Sequence, residues 1–157
     1  MIENTLFALH AEGLACVAQE SNRKEERLVP SRTVGTVLMI DDNEVLCSAI
    51  SIVLRTQGFR MLEAHDGRSG VDLFQVHEAA IDVIVMDLTL PRLSGREVLR
   101  QLQQIRPGVK VILTTSFSKD STWRALGDLH PWGFLQKPYL SSELADLLHE
   151  ACKPDSE

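Results

Sequence analysis

From Val34 onward the chain alternates short apolar runs with longer amphipathic stretches. The runs at 35–40, 59–63, 81–86, 109–115 and 133–136 predict strands. The segments 43–57, 67–78, 94–105, 119–128 and 141–152 repeat apolar residues at three- and four-residue steps and predict helices. Punctuation supports these boundaries. Gly58 follows the first helix, Ser94 stands ahead of the third, and Pro107-Gly108 separates that helix from the fourth strand. Ser141 is placed to cap the last helix, with Glu143 in its first turn. Val83-Ile84-Val85-Met86 and Val111-Ile112-Leu113 are apolar at every position, as strands covered on both faces of a parallel sheet are. Strands alternating with helices in this way predict a doubly wound α/β sandwich, its five-stranded parallel sheet in the order 2-1-3-4-5 with helices on both faces.

The first part of the chain reads differently. Ile2, Leu6, Leu9, Gly13 and Val17 have helical spacing, and the polar stretch Ser21-Asn22-Arg23-Lys24-Glu25-Glu26-Arg27 and Pro30-Ser31 follow. The expected organisation is an N-terminal extension over 1–33, with an amphipathic helix and a polar linker, a folded domain over 34–153, and a tail over 154–157.

At 157 residues, 44% hydrophobic and 24% charged, the chain suits one domain around one core. A net charge of −6, with no basic cluster to offset it, argues against a nucleic-acid partner. Cys16, Cys47 and Cys152 are widely spaced with no C-x-x-C, so neither a disulfide framework nor zinc is indicated, and a reducing cytoplasm is the natural setting. The apolar stretch from Leu6 to Ala18 is preceded by Glu3 and interrupted by His10 and Glu12, a poor signal peptide. No run reaches the ~18 apolar residues of a membrane span, so no membrane partner is expected.

The candidate chemistry lies at the predicted strand ends. Asp41-Asp42 close the first strand, Asp87 the third, and Lys137-Pro138 the fifth. In a parallel α/β sheet these ends share one edge, where ligands bind. Carboxylates gathered there repel unless a cation is present, and hard oxygen donors suit Mg²⁺. Such an ion would hold the acids ionised and orient a phosphoryl oxygen, making Asp87 a plausible carboxylate nucleophile. The plain alternative, that the acids are helix caps or strand-end charges, is respectable for Asp41-Asp42 taken alone.

These residues carry a resemblance. Val37-Leu38-Met39-Ile40-Asp41-Asp42-Asn43-Glu44, Val85-Met86-Asp87-Leu88-Thr89-Leu90-Pro91 with Gly95, then Thr115 and Lys137-Pro138, resemble the receiver domain of two-component response regulators over about residues 34–152. The wording Phe134-Leu135-Gln136-Lys137-Pro138-Tyr139 is similar to receivers at the C-termini of hybrid histidine kinases. The resemblance implies a CheY-like, flavodoxin-like fold. It also implies that Asp87 is the phosphoacceptor, Asp42 and Asp87 are Mg²⁺ ligands, Asp41 is a ligand through water, and Thr89 offers its backbone carbonyl to the metal. In the family a histidine kinase or a histidine phosphotransfer protein donates the phosphoryl group. Thr115 lies 22 residues before Lys137, the family's spacing, against 23 for Thr114, so Thr115 is the expected switch hydroxyl and Thr114 a strand residue. Lys137 would contact a phosphoryl oxygen. Pro138 would hold a bend, cis among its options. Phe134 matches the aromatic switch position.

The implied function is a phosphoacceptor that performs only self-catalysed transfer to, and hydrolysis from, Asp87, and is not otherwise an enzyme. Its output face would be helix four, strand five and helix five, directed at a downstream protein or a second copy in a homodimer. The short stretch after Lys137-Pro138 is expected to leave no room for an output domain. The chain departs from the family in Asp128-Leu129-His130-Pro131-Trp132-Gly133, where Gly-Ala is common before strand five. Pro131 is expected to end the preceding helix. Thr89 and Phe117 occupy positions that influence attacking water, and neither can act as a base, so slow self-dephosphorylation is expected. Two other readings compete. An aspartyl phosphatase would want a second Asp two residues beyond the nucleophile, where Thr89 stands. A phosphorylation-independent binding module on the same scaffold would not require the acids, Thr115 and Lys137 together.

Overall fold

The computed structural model describes residues 32–155. The amphipathic helix expected within 1–33 therefore lies outside the described residues. Five strands and five helices alternate along the chain: β1 (Gly35–Ile40), α1 (Glu44–Thr56), β2 (Phe59–Ala64), α2 (Gly67–His77), β3 (Val83–Asp87), α3 (Gly95–Ile105), β4 (Lys110–Thr115), α4 (Lys119–Leu126), β5 (Gly133–Gln136) and α5 (Ser141–Ala151). All neighbouring strands pair in parallel, in the order β2-β1-β3-β4-β5. This is the sheet expected from the sequence.

Side chains alternate across the strands and build a core on each face of the sheet. Leu38, Ile40, Ile84, Met86, Val111 and Leu113 pack with Phe74 of α2, Val98, Leu99 and Leu102 of α3, and Leu126 of α4. On the opposite face, Val37, Met39, Val83, Val85 and Ile112 pack with Cys47, Ile50 and Leu54 of α1 and with Leu144, Ala145 and Leu148 of α5. Among the described residues, no helix is long and apolar enough to cross a membrane.

Apart from shifts of one residue, two boundaries and one cap differ from the sequence pattern, each for a local reason. The third strand begins at Val83, because Asp82 makes its own link to β1: its N–H donates to the Thr36 carbonyl at 2.9 Å while its carboxylate accepts from the Thr36 N–H at 2.7 Å. α4 ends before Gly127, whose φ of 65° is costly for residues with a Cβ, so the stop precedes Pro131. At α5 the N-cap is Leu140 and Ser141 is already helical; Glu143 reaches back to accept from the Leu140 N–H at 2.7 Å. Ser94 does cap α3, accepting from the Glu97 N–H at 3.2 Å.

Candidate functional site

β1 and β3 are neighbours whose connections leave in opposite directions, so their carboxyl ends open onto a crevice. Asp41 and Asp42 leave β1 there and Asp87 ends β3. The three offer carboxylate oxygens that all lie within 4.8 Å of one another. Asp41 and Asp87 are buried, and Asp42 is exposed.

Backbone turns hold the two buried acids. Asp41 accepts from the Asn43 N–H at 2.9 Å, and Asn43 in turn caps α1 by accepting from the Leu46 N–H at 3.1 Å. Asp87 accepts from the Thr89 N–H at 2.9 Å, which folds the 87–89 backbone back over the carboxylate. Gly95 closes that loop. Its N–H donates to the Leu88 carbonyl at 3.2 Å, and a Cβ there would collide with the same oxygen.

Lys137 enters from the end of β5, held by its N–H donating to the Thr115 carbonyl at 2.8 Å. Its ammonium donates to Asp41 Oδ2 at 2.9 Å and to Asp87 Oδ2 at 2.8 Å. Burial works against this ammonium, but the hydrogen bonds and charges of Asp87 and Asp41 outweigh it and hold its pKa above the ordinary lysine value. The peptide bond to Pro138 is cis. Three carboxylates against one ammonium leave two negative charges uncompensated among these groups. Oxygen donors with that surplus fit a hard divalent cation. Both Asp41 oxygens already accept from protein donors, whereas Asp42 faces solvent and no lysine or arginine among the described residues pairs with it.

Thr115 closes β4, fully buried, and its hydroxyl oxygen accepts from the Phe117 N–H at 3.2 Å. Thr114 is also buried and lies opposite Asp87 in the ladder. Phe134 pairs with Leu113 and is half-buried against the core on the α2–α4 face. Ser116 and Phe117 are exposed.

Two neighbours of the acids went unmarked in the sequence. Cys47, one turn into α1, sits 3.5 Å from the Asp41 carbonyl, and burial, reinforced by the Asp41 charge, pushes its thiol up to about 12. Tyr139 packs against the α1–α5 core, and burial likewise raises its phenol to about 12. Their helical and loop positions carry no signature that would separate them from ordinary core residues. His65, in the connection between β2 and α2, brings Nδ1 within 3.4 Å of the Asp41 carbonyl.

Comparison with known proteins agrees with this architecture. The family model described as the response regulator receiver domain matches residues 37–149. Sensor kinase CckA of Brucella abortus is 26% identical over 128 residues, which span 82% of this chain and 14% of that protein. The probable transcriptional regulatory protein TcrX of Mycobacterium tuberculosis is 34% identical over 111 residues, 69% of this chain and 46% of that one. The chain thus spans less than half the length of these relatives. Among solved structures, a response regulator receiver domain protein from Clostridium thermocellum has a TM-score of 0.69 at 28% identity, covering 75% of this chain and 94% of that one. The receiver domain of a sensor histidine kinase from Pseudomonas aeruginosa, described with a magnesium ion coordinated in its active site cleft, has a TM-score of 0.68 at 25% identity and covers 75% of this chain and 97% of that one. A matching family model over most of the chain, on a sheet of the same topology, means that this chain belongs to the response regulator receiver domains of two-component systems.

Proposed function

We propose that this chain is a phosphoacceptor in a two-component phosphorelay, taking a phosphoryl group on Asp87 from a histidine kinase or a histidine phosphotransfer protein. The observation that carries the reading is the Lys137 ammonium shared between Asp41 and Asp87, with Asp42 completing a cluster two charges in deficit. Asp42, Asp87 and the Thr89 backbone carbonyl would hold Mg²⁺, with the more deeply buried Asp41 acting through water. When bound, Mg²⁺ supplies charge that steadies the phosphoryl oxygens during transfer.

A carboxylate oxygen of Asp87 forms the new P–O bond as the P–N bond to the donor imidazole breaks, and the imidazole leaves with the bonding pair. The Thr89 N–H fixes the orientation of the attacking carboxylate. Lys137 then keeps its contact with Asp41 while its ammonium is available to a phosphoryl oxygen. The Thr115 hydroxyl oxygen accepts from Phe117, leaving its O–H to donate to the phosphoryl group. Its movement, with an inward turn of Phe134, would carry the change to the α4–β5–α5 face and a downstream protein. The chain turns over no other substrate in this account.

The reading is tested by phosphotransfer. Radiolabelled phosphoryl on a histidine phosphotransfer protein should pass to the wild-type chain in Mg²⁺ and fail to pass to Asp87→Asn. Equal labelling of that variant would overturn the assignment.

A further inference from the structure

α4 is the least anchored helix of the fold. Among the described residues, each of the other four helices buries four residues, whereas α4 buries Thr122 and Leu126. The Thr122 hydroxyl is used locally, donating to the Ser118 carbonyl at 2.9 Å. Eight residues are too few for a helix to hold itself by its own hydrogen bonds, so tertiary contacts decide where α4 lies. Just ahead of its N-terminal end, the Phe117 N–H donates to the Thr115 hydroxyl at 3.2 Å, which ties that end to the site.

The other end is held by α3. Arg96 Nε donates to the Leu126 carbonyl at 3.2 Å, and its Nη2 reaches Asp128 Oδ1 at 3.3 Å. Gln103 Nε2 donates to the His130 carbonyl at 3.0 Å. Seven residues at 3.6 per turn put Arg96 and Gln103 on one flank of α3, roughly 10 Å apart along its axis. Their targets span the segment where the chain departs from the family pattern, Asp128-Leu129-His130-Pro131-Trp132. The last carbonyls of a helix lack donors of their own and lie at the negative end of its dipole, so a guanidinium is well placed there. The pairing with Asp128 counts for less, because that side chain is 88% exposed. Between the two gripped carbonyls, Leu129 packs against the core on the α2–α4 face.

We infer that Arg96 and Gln103 are positioning residues for the switch, fixing the C-terminal end of α4 and its connection to β5. When Thr115 releases the Phe117 N–H, only the N-terminal end of α4 is freed, and the helix pivots about its anchored end. Without the two side chains the same release loosens α4 as a whole, and the face it shares with β5 has no defined second arrangement. The anchor stands on the element nearest the acids, since α3 begins at Gly95, whose N–H closes the loop after Asp87. The inference rests on the reading of Thr115 as the moving hydroxyl.

Amide hydrogen exchange of the full chain, read by mass spectrometry, tests it. Arg96→Met with Gln103→Met keeps the aliphatic stems and removes the donors. This double variant should speed exchange over residues 123–130 roughly tenfold, while α1, α2 and α5 keep wild-type rates. Thr115→Val releases the Phe117 N–H without any phosphoryl group. With the anchor intact it should speed exchange over 117–122 and leave 124–130 within about twofold of wild type. Added to the double variant, it should speed exchange over 124–130 several-fold further. Acetyl phosphate with Mg²⁺ should reproduce the Thr115→Val pattern in the wild-type chain, with Asp87 loaded equally in wild type and double variant by intact mass. Wild-type exchange over 123–130 in the double variant would overturn the inference, as would Thr115→Val or phosphorylation loosening both ends of α4 alike. A wild-type chain that gains no phosphoryl group would strike the Asp87 reading instead, and the Thr115→Val arm would still decide the anchor.

Discussion

Lys137 supplies the positive charge that lets two buried carboxylates lie side by side, at 2.9 Å from Asp41 and 2.8 Å from Asp87. Removing it strands both acids, and breaking a buried ion pair from one side costs a few kcal/mol. Lys137→Ala should therefore destabilise the chain by ~1–3 kcal/mol in urea denaturation with chelator present. The loss should shrink in millimolar Mg²⁺, because a divalent cation takes over the compensation. An equal loss in both buffers would contradict the charge argument. Thr89 and Phe117 bear on lifetime. Neither side chain can take a proton from water, and Phe117 stands exposed beside Thr115. The phosphorylated chain, desalted and followed by intact mass, should lose its phosphoryl group slowly; loss within the desalting time and without a phosphatase would contradict this.

The loop from β3 to α3 depends on Gly95, whose position leaves no room for a Cβ against the Leu88 backbone. Backbone cannot yield as a side chain can, so Gly95→Ala should cost about 1–3 kcal/mol in the same denaturation assay. No measurable loss would mean that the loop shifts freely. This element also shows how far sequence reading reaches. Strand ends and helix starts were legible where residue chemistry changes abruptly: Ile40 to Asp41, Met86 to Asp87, and Ser94 ahead of Gly95. The departures lie where a residue uses a partner distant in sequence, as Asp82 does with Thr36, or where one glycine's dihedral overrides a helical pattern, as at Gly127. The gathering of Asp41, Asp42, Asp87 and Lys137 was legible because parallel topology dictates it. The sharing of Lys137 between two acids and the burial of Cys47 behind Asp41 were not, since they depend on where side chains from strand ends and from α1 meet in three dimensions.

Across the whole molecule, the site and its neighbours divide between two layers. The acids and Lys137 stand at the sheet edge, and Cys47 and Tyr139 tie that edge to the α1–α5 layer. Phe134 instead packs with the α2–α4 layer. Under the proposed function, a change at Asp87 would reach that layer through neighbouring strands, β3 to β4 to β5, with Thr114 opposite Asp87 and Gln136 opposite Thr115. A single added charge at the edge is thus placed to bias packing on a distant face. The proposed signal starts from that added charge. Its most direct test is to incubate the chain with acetyl phosphate, with and without Mg²⁺, and to measure intact mass. The wild-type chain should gain one phosphoryl group only when Mg²⁺ is present, and Asp87→Asn should gain none; an adduct that forms without Mg²⁺ or survives that substitution would contradict it.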